Sequence, residues 1–145
     1  MKQVRLRAGV DLVNIRELAD MLETSGPSFI DSCWTGDEQA YCNGSVARLA
    51  ARWAAKEATM KSLGHGIGEI DPLDIEVVAH EGRPPRLCLR GTAQARAYEA
   101  GVYEFALSLS HEGDFAIAFV VADNIPDCTP YLVKGNRRAH GGLSA

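Results

Sequence analysis

The chain has 145 residues, 46% hydrophobic and 23% charged, the balance of one soluble globular domain. Its formal net charge of −4 excludes a general nucleic-acid binder, so any anion site must come from a local basic cluster. No apolar run reaches the ~20 residues that span a bilayer, and Met1 to Arg7 carry charge without the apolar core of a signal peptide.

Four cysteines, Cys33, Cys42, Cys88 and Cys128, lack Cys-x-x-Cys spacing and nearby histidines, so reduced thiols in a cytoplasmic protein are expected. Val4 to Val13 reads as a strand ending in Gly9-Val-Asp-Leu-Val13. Asp11 is anomalous there, because aspartate is depleted in strands. It is either a cap for the helix that starts near Asn14 or a carboxylate held on rigid backbone for a cation. Asn14 to Thr24 has helical spacing, with Ile15, Leu18, Met21 and Leu22 inward and Glu17, Asp20 and Glu23 outward beside Arg16. Ser25-Gly26-Pro27 stops it, and a short helical piece around Phe29 follows. Thr35 with Glu38 forms a capping-box pattern that predicts another helix, and Asn43-Gly44 breaks the chain after it.

Arg48 to Lys61 is the strongest helix former in the chain, rich in Ala and free of Gly and Pro. At about 100° per residue it sorts into faces. Val46, Leu49, Trp53 and Met60 make a bulky stripe; Ala47, Ala50, Ala51, Ala54, Ala55 and Ala58 make a smooth one; Arg48, Arg52 and Lys56 make a basic edge. Glu57 and Lys61 fall in the seam between bulk and alanine. There they form either an ordinary i,i+4 ion pair or part of a site that compensates the charge. Gly64-His-Gly-Ile-Gly68 caps the helix and permits close backbone approach.

Asp74 to Ala79 and Arg86 to Arg90 predict an antiparallel hairpin through Glu81-Gly-Arg-Pro-Pro85, and Gly91 to Ala100 a short helix. Tyr103 to Ala122 predicts two strands flanking His111-Glu-Gly-Asp114. Phe105, Leu107 and Leu109 give that hairpin a bulky face, and Ala106, Ser108 and Ser110 a small one. His111, at the turn, suits phosphate binding or proton transfer, although a lone His is commonly just a surface residue. Beyond Ala122 the periodicity ends, so residues 1–122 are expected to form the domain and 123–145 a loosely ordered tail.

Two carboxylates in apolar surroundings (Asp11 and Glu57), a lysine, a basic helix edge, a glycine turn and a Ser/His strand end form a coherent inventory. Ligation by a few carboxylate oxygens suits Mg²⁺, which takes its other ligands from water and phosphate. Arg52, Lys61 and His111 would face phosphate oxygens, which describes metal-assisted chemistry on a pyrophosphate.

Gly9-Val-Asp-Leu-Val13, Arg52-Trp-Ala-Ala-Lys-Glu-Ala-Thr-Met-Lys61, Gly64-His-Gly66 and Ser108-Leu-Ser-His111 stand in an order and spacing that resemble the 4′-phosphopantetheinyl transferases, closest to the short holo-acyl-carrier-protein synthase type. The resemblance covers about residues 8–122. It implies transfer of the 4′-phosphopantetheine arm from coenzyme A to a serine of an apo acyl or peptidyl carrier protein, releasing adenosine 3′,5′-bisphosphate. By resemblance, Asp11 and Glu57 are the Mg²⁺ ligands, and Lys61 contacts phosphate and protonates the leaving group. Ser110 and His111 are a phosphate-binding strand end, while Arg52, Gly64, Gly66, Arg83 and Pro84 surround the adenosine and its 3′-phosphate. Glu57, a metal-bound water and His111 remain candidates for the base. Long family members carry two copies of the half-domain; this chain has one, so the resemblance implies an α+β fold assembled as a homotrimer with sites at subunit interfaces.

Two features depart from that pattern. The outer face of the first helix is acidic, where typical short members are basic and receive an acidic carrier, and Glu112 and His65 stand where small hydroxyl residues are common. The basic residues Lys134, Arg137 and Arg138 of the tail are a possible substitute for the missing charge, with a solvated tail as the simpler reading. The rival readings are a catalytically silent module that binds coenzyme A or a nucleotide, and a structural oligomerisation domain.

Overall fold

The computed structural model of the chain describes residues 6–124. Strand β1 (Leu6–Asn14) runs directly into helix α1 (Ile15–Ser25). Short helices α2 (Pro27–Cys33) and α3 (Gly36–Cys42) lead to the long helix α4 (Val46–Leu63). A 3-10 turn at Pro72–Asp74 precedes β2 (Ile75–Val78) and β3 (Arg86–Leu89). Helix α5 (Gly91–Glu99) and strands β4 (Val102–Glu112) and β5 (Phe115–Asn124) complete the described residues. The fold is α+β, as expected. β1, β5 and β4 form an antiparallel sheet in that order, and β2 and β3 pair separately.

α4 lies across the inner face of the larger sheet. Ser45 caps its start by accepting a hydrogen bond from the Arg48 amide, and Gly64 ends it in the left-handed conformation at φ 76°. Ala54, Ala55 and Ala58 pack on Ala118 and Val120 of β5, so small residues on both sides bring helix and sheet close together. The closest approach is at Gly9 of β1. A Cβ there would overlap the Ala58 carbonyl oxygen and stand 2.9 Å from the Ser62 amide nitrogen. At one end of α4, Leu49 joins Trp34, Leu18 and Cys42; at the other, Met60 and Leu63 join Ile75, Ala93 and Val102.

Several local expectations hold. Thr35 and Glu38 form a reciprocal capping box, and Asn43 ends α3 in the left-handed region. The hairpin through residues 81–85 is present. Cys33 and Cys42 are free and buried and Cys88 is free, whereas Cys128 and the tail residues 125–145 lie outside the described residues.

Other expectations need correction. Asp11 does not cap α1; the side chain of Asn14 does, accepting from the Glu17 amide. Met21, expected inward, is 49% exposed, because the space beneath that turn of α1 is a cavity and not core. The turn between β4 and β5 is only Gly113-Asp114, with His111 and Glu112 still paired in the ladder, and β5 continues to Asn124. The basic edge of α4 is not a solvated edge. Arg52 is buried, and Lys56 is wholly buried. Lys56 Nζ donates to Glu38 Oε1 at 2.7 Å, to the Pro72 carbonyl at 2.9 Å and to the Ile75 carbonyl at 2.5 Å. Burial lowers the Lys56 pKa, and the Glu38 charge opposes that shift. Glu38 also accepts from the Thr35 and Val77 amides, so the pair ties α3, α4 and β2 together with its polar groups satisfied.

Gly9→Ala is expected to destabilise the fold by about 1–3 kcal/mol or more, as an overpacked site whose obstacle is backbone. Urea denaturation measures it; unchanged stability would mean that β1 and α4 separate without cost.

Candidate active site

Alternation along β1 turns Gly9, Asp11 and Val13 toward α4 and leaves Leu6, Val10 and Leu12 on the outer face. Because Gly9 lets β1 press against Ala58, Asp11 arrives beside the next turn of the helix. Lys61 Nζ donates to Asp11 Oδ1 at 3.0 Å and to the Val10 carbonyl at 3.1 Å. Glu57 precedes Lys61 by four residues and shares its helix face. Its carboxyl pKa is raised, first by burial and then by the Asp11 charge, with Lys61 acting in the opposite sense. Proximity of two carboxylates, one partly buried, costs free energy that a bound cation would relieve.

Asp11, Glu57 and Lys61 line a cavity of about 700 Å³ that extends between α1 and α2 past Leu18, Met21, Phe29, Cys33 and Trp53. One end is charged and the remainder mostly apolar. The sequence reading missed Met21, Phe29 and Cys33 as lining residues. The helical period of α1 puts Asn14, Leu18 and Met21 on one stripe, but nothing in the sequence distinguishes a stripe that meets core from one that roofs a cavity.

The remaining expected site residues lie elsewhere in the chain. Arg52 places its guanidinium 4.6 Å from the Tyr41 ring centroid, donates from Nη1 to the Arg48 carbonyl at 3.3 Å, and leaves Nε unpartnered. Gly64 is the C-cap of α4, and the Gly66 carbonyl accepts from the Glu69 and Ile70 amides, while His65 pairs with Glu69. Arg83 and Pro84 line a separate cleft of about 300 Å³ with Val78, His80 and Arg86. His111 pairs with Ala116 on the β4 side of β5, whereas Asp11 pairs with Ala118 on the β1 side. Ser110, paired with Ile117, faces away from His111 by strand alternation. A single chain therefore unites Asp11, Glu57 and Lys61 and holds Arg83, Pro84, Ser110 and His111 apart from them.

A family model described as the 4′-phosphopantetheinyl transferase superfamily matches residues 7–120. The chain belongs to that superfamily. A holo-[acyl-carrier-protein] synthase of Herpetosiphon aurantiacus is 43% identical, over 80% of this chain and 97% of the relative. A holo-[acyl-carrier-protein] synthase of Halothermothrix orenii is 40% identical, over 79% of this chain and 94% of the relative. Among solved structures, the Chronobacterium ammoniagenes ACPS–CoA complex superposes with a TM-score of 0.75 at 30% identity, covering 84% of this chain and 99% of that one. The Helicobacter pylori holo-[acyl-carrier-protein] synthase in complex with coenzyme A gives a TM-score of 0.72 at 26% identity, covering 80% and 99%. As a phosphopantetheinyl transferase, the chain carries the charged end of its cavity on β1 and α4, both inside the matched span.

The sign of the Glu57 shift gives a stability test. A raised carboxyl pKa means that the folded state holds the proton more tightly, so stability falls as pH rises from the ordinary glutamate value through the raised one. In metal-free buffer, Glu57→Gln is expected to be more stable than the unaltered protein at neutral pH, with the gap closing on acidification. Denaturation curves across pH check it; a gap that widens on acidification would contradict the assignment.

Proposed function

We propose that this enzyme transfers the 4′-phosphopantetheine arm of coenzyme A to a serine of an apo carrier protein, with Mg²⁺ held by Asp11 and Glu57. The observation that carries the reading is the convergence of Asp11, Glu57 and Lys61 at the charged end of the cavity. It is supported by the named activity of the relatives and by the coenzyme A bound in two structural neighbours.

The donor set fits Mg²⁺. Among the described residues no cluster of three or more His, Cys, Asp or Glu is suited to hold a metal, so the protein's share of the ligands is two carboxylates, and phosphate and water oxygens supply the rest. When bound, the ion supplies charge neutralisation at the pyrophosphate. The chain's own groups do the remainder. Lys61, half-exposed and already donating toward Asp11, is placed to hold a phosphate oxygen and to give its proton to the departing phosphate. The serine oxygen bonds to the β-phosphorus as the bond to the α-phosphate oxygen breaks. Glu57, whose burial favours the protonated form, is suited to accept the serine proton. Such a reaction depends on alignment and charge more than on covalent help from the protein.

Arg52, Gly64, Gly66, Arg83, Pro84, Ser110 and His111 are assigned to the nucleotide end of coenzyme A. Since one chain keeps several of them from Asp11 and Glu57, a neighbouring copy completes the site. The outer face of the larger sheet supports assembly: Leu6, Val10, Leu12, Phe115, Ile117 and Phe119 are each 39–59% exposed, and together they form an apolar patch in need of cover. Three copies is the number that the family resemblance implies.

Intact mass spectrometry of an apo carrier incubated with the enzyme, coenzyme A and Mg²⁺ is expected to show a phosphopantetheine-sized gain, reduced roughly 10²-fold or more by Glu57→Ala. Coenzyme A binding without any gain on fatty-acid, polyketide or peptide carriers would leave the silent-module reading. Sedimentation is expected to show a trimer, and Ile117→Asp is expected to yield monomers with transfer lost. A fully active monomer would overturn the shared-site assignment.

A further inference from the structure

The apolar length of the cavity lies between α1 and α2, beside the charged end, and the proposed transfer leaves it without an occupant. Met21 is 49% exposed at its rim, with Phe29 behind it. The surrounding charge is one-sided. α1 presents Glu17, Asp20 and Glu23, α2 adds Asp31, and the only cation on these two helices is Arg16. Arg16 is itself turned to the β4–β5 turn, its Nε 3.6 Å from Asp114 Oδ1. Glu17 lines the cavity directly, and Asp20, three residues on, extends the acidic edge along the same side of the helix.

A macromolecular acceptor must bring its hydroxyl to Asp11, Glu57 and Lys61, and this groove is the adjoining apolar surface. We propose that the groove docks a carrier segment bearing an apolar anchor flanked by lysine or arginine, the anchor seating between Met21 and Phe29 and the cations facing Glu17 and Asp20. The inference rests on the carrier-transferase reading and narrows it: the acceptor is basic, or at least not acidic, around its serine. Charge complementarity selects it, because an acidic segment would place like charges against Glu17 and Asp20.

The test uses one apo carrier in two forms, differing only in whether the exposed residues around its acceptor serine are acidic or lysine. Binding to the full chain is measured by titration without coenzyme A, at low and high salt, and transfer is followed in parallel by intact mass. The lysine form is expected to bind about tenfold more tightly at low salt. Salt is expected to narrow that advantage, and the double variant Glu17→Lys/Asp20→Lys to reverse it. Met21→Ala is expected to weaken both forms alike. Both substituted carboxylates are exposed on α1, so the variant keeps its fold, which circular dichroism verifies. Equal or tighter binding of the acidic form, a preference untouched by the double variant, or binding of neither form would overturn the docking proposal. Preferential binding of the lysine form without transfer to either would uphold the docking and overturn the transferase reading.

Discussion

The contact between Gly9 and the backbone of Ala58 and Ser62 is the constraint on which the active region depends. A strand and a helix bearing ordinary side chains pack with a layer of carbon between them. Here glycine on one side and alanine on the other remove that layer. The consequence is chemical as much as mechanical: Asp11 on β1 comes within hydrogen-bonding distance of Lys61 on α4, and Glu57 feels its charge. Both elements are regular structure, so the geometry of the charged end rests on backbone ladders and not on a loop.

Function in this fold divides along the sheet. Its inner face, pressed to α4, carries the carboxylate and the core; its outer face offers apolar side chains to another body. The far edge, β4, carries Ser110 and His111 across β5 from Asp11. A half-built site and an uncovered sheet face are one fact seen twice, since the copy that covers the face is the one able to bring the missing residues.

Much of this was legible in the sequence, for identifiable reasons. Asp11 stood out because a strand disfavours aspartate, and Glu57 with Lys61 because helical period put charge in an apolar seam. What stayed hidden depended on tertiary partners. Lys56 looked like one more cation on a wet edge, since no local rule announces that a carboxylate eighteen residues earlier will meet it in the interior. Glu38 was already explained by its capping box with Thr35, which concealed its second role. Met21 obeyed the period that marks a core position, but a cavity lay beneath it. His111 was expected in a four-residue turn, whereas Gly113 in the left-handed region, at φ 58°, makes the reversal in two residues and lets the ladder run on.

An alanine surface gives a helix closeness without a key. It is nearly as smooth one residue along as it is in register, and rolling or sliding on it costs little shape complementarity. Lys56 removes that freedom. Its ammonium is gripped by a carboxylate and two carbonyls contributed by three separate segments, and a slip of one residue would take the charge from all of them at once, with no water to replace them. The buried pair therefore acts as an index pin for α4. Glu57 and Lys61, the next polar positions along the same rod, inherit their aim from a residue that never meets the substrate.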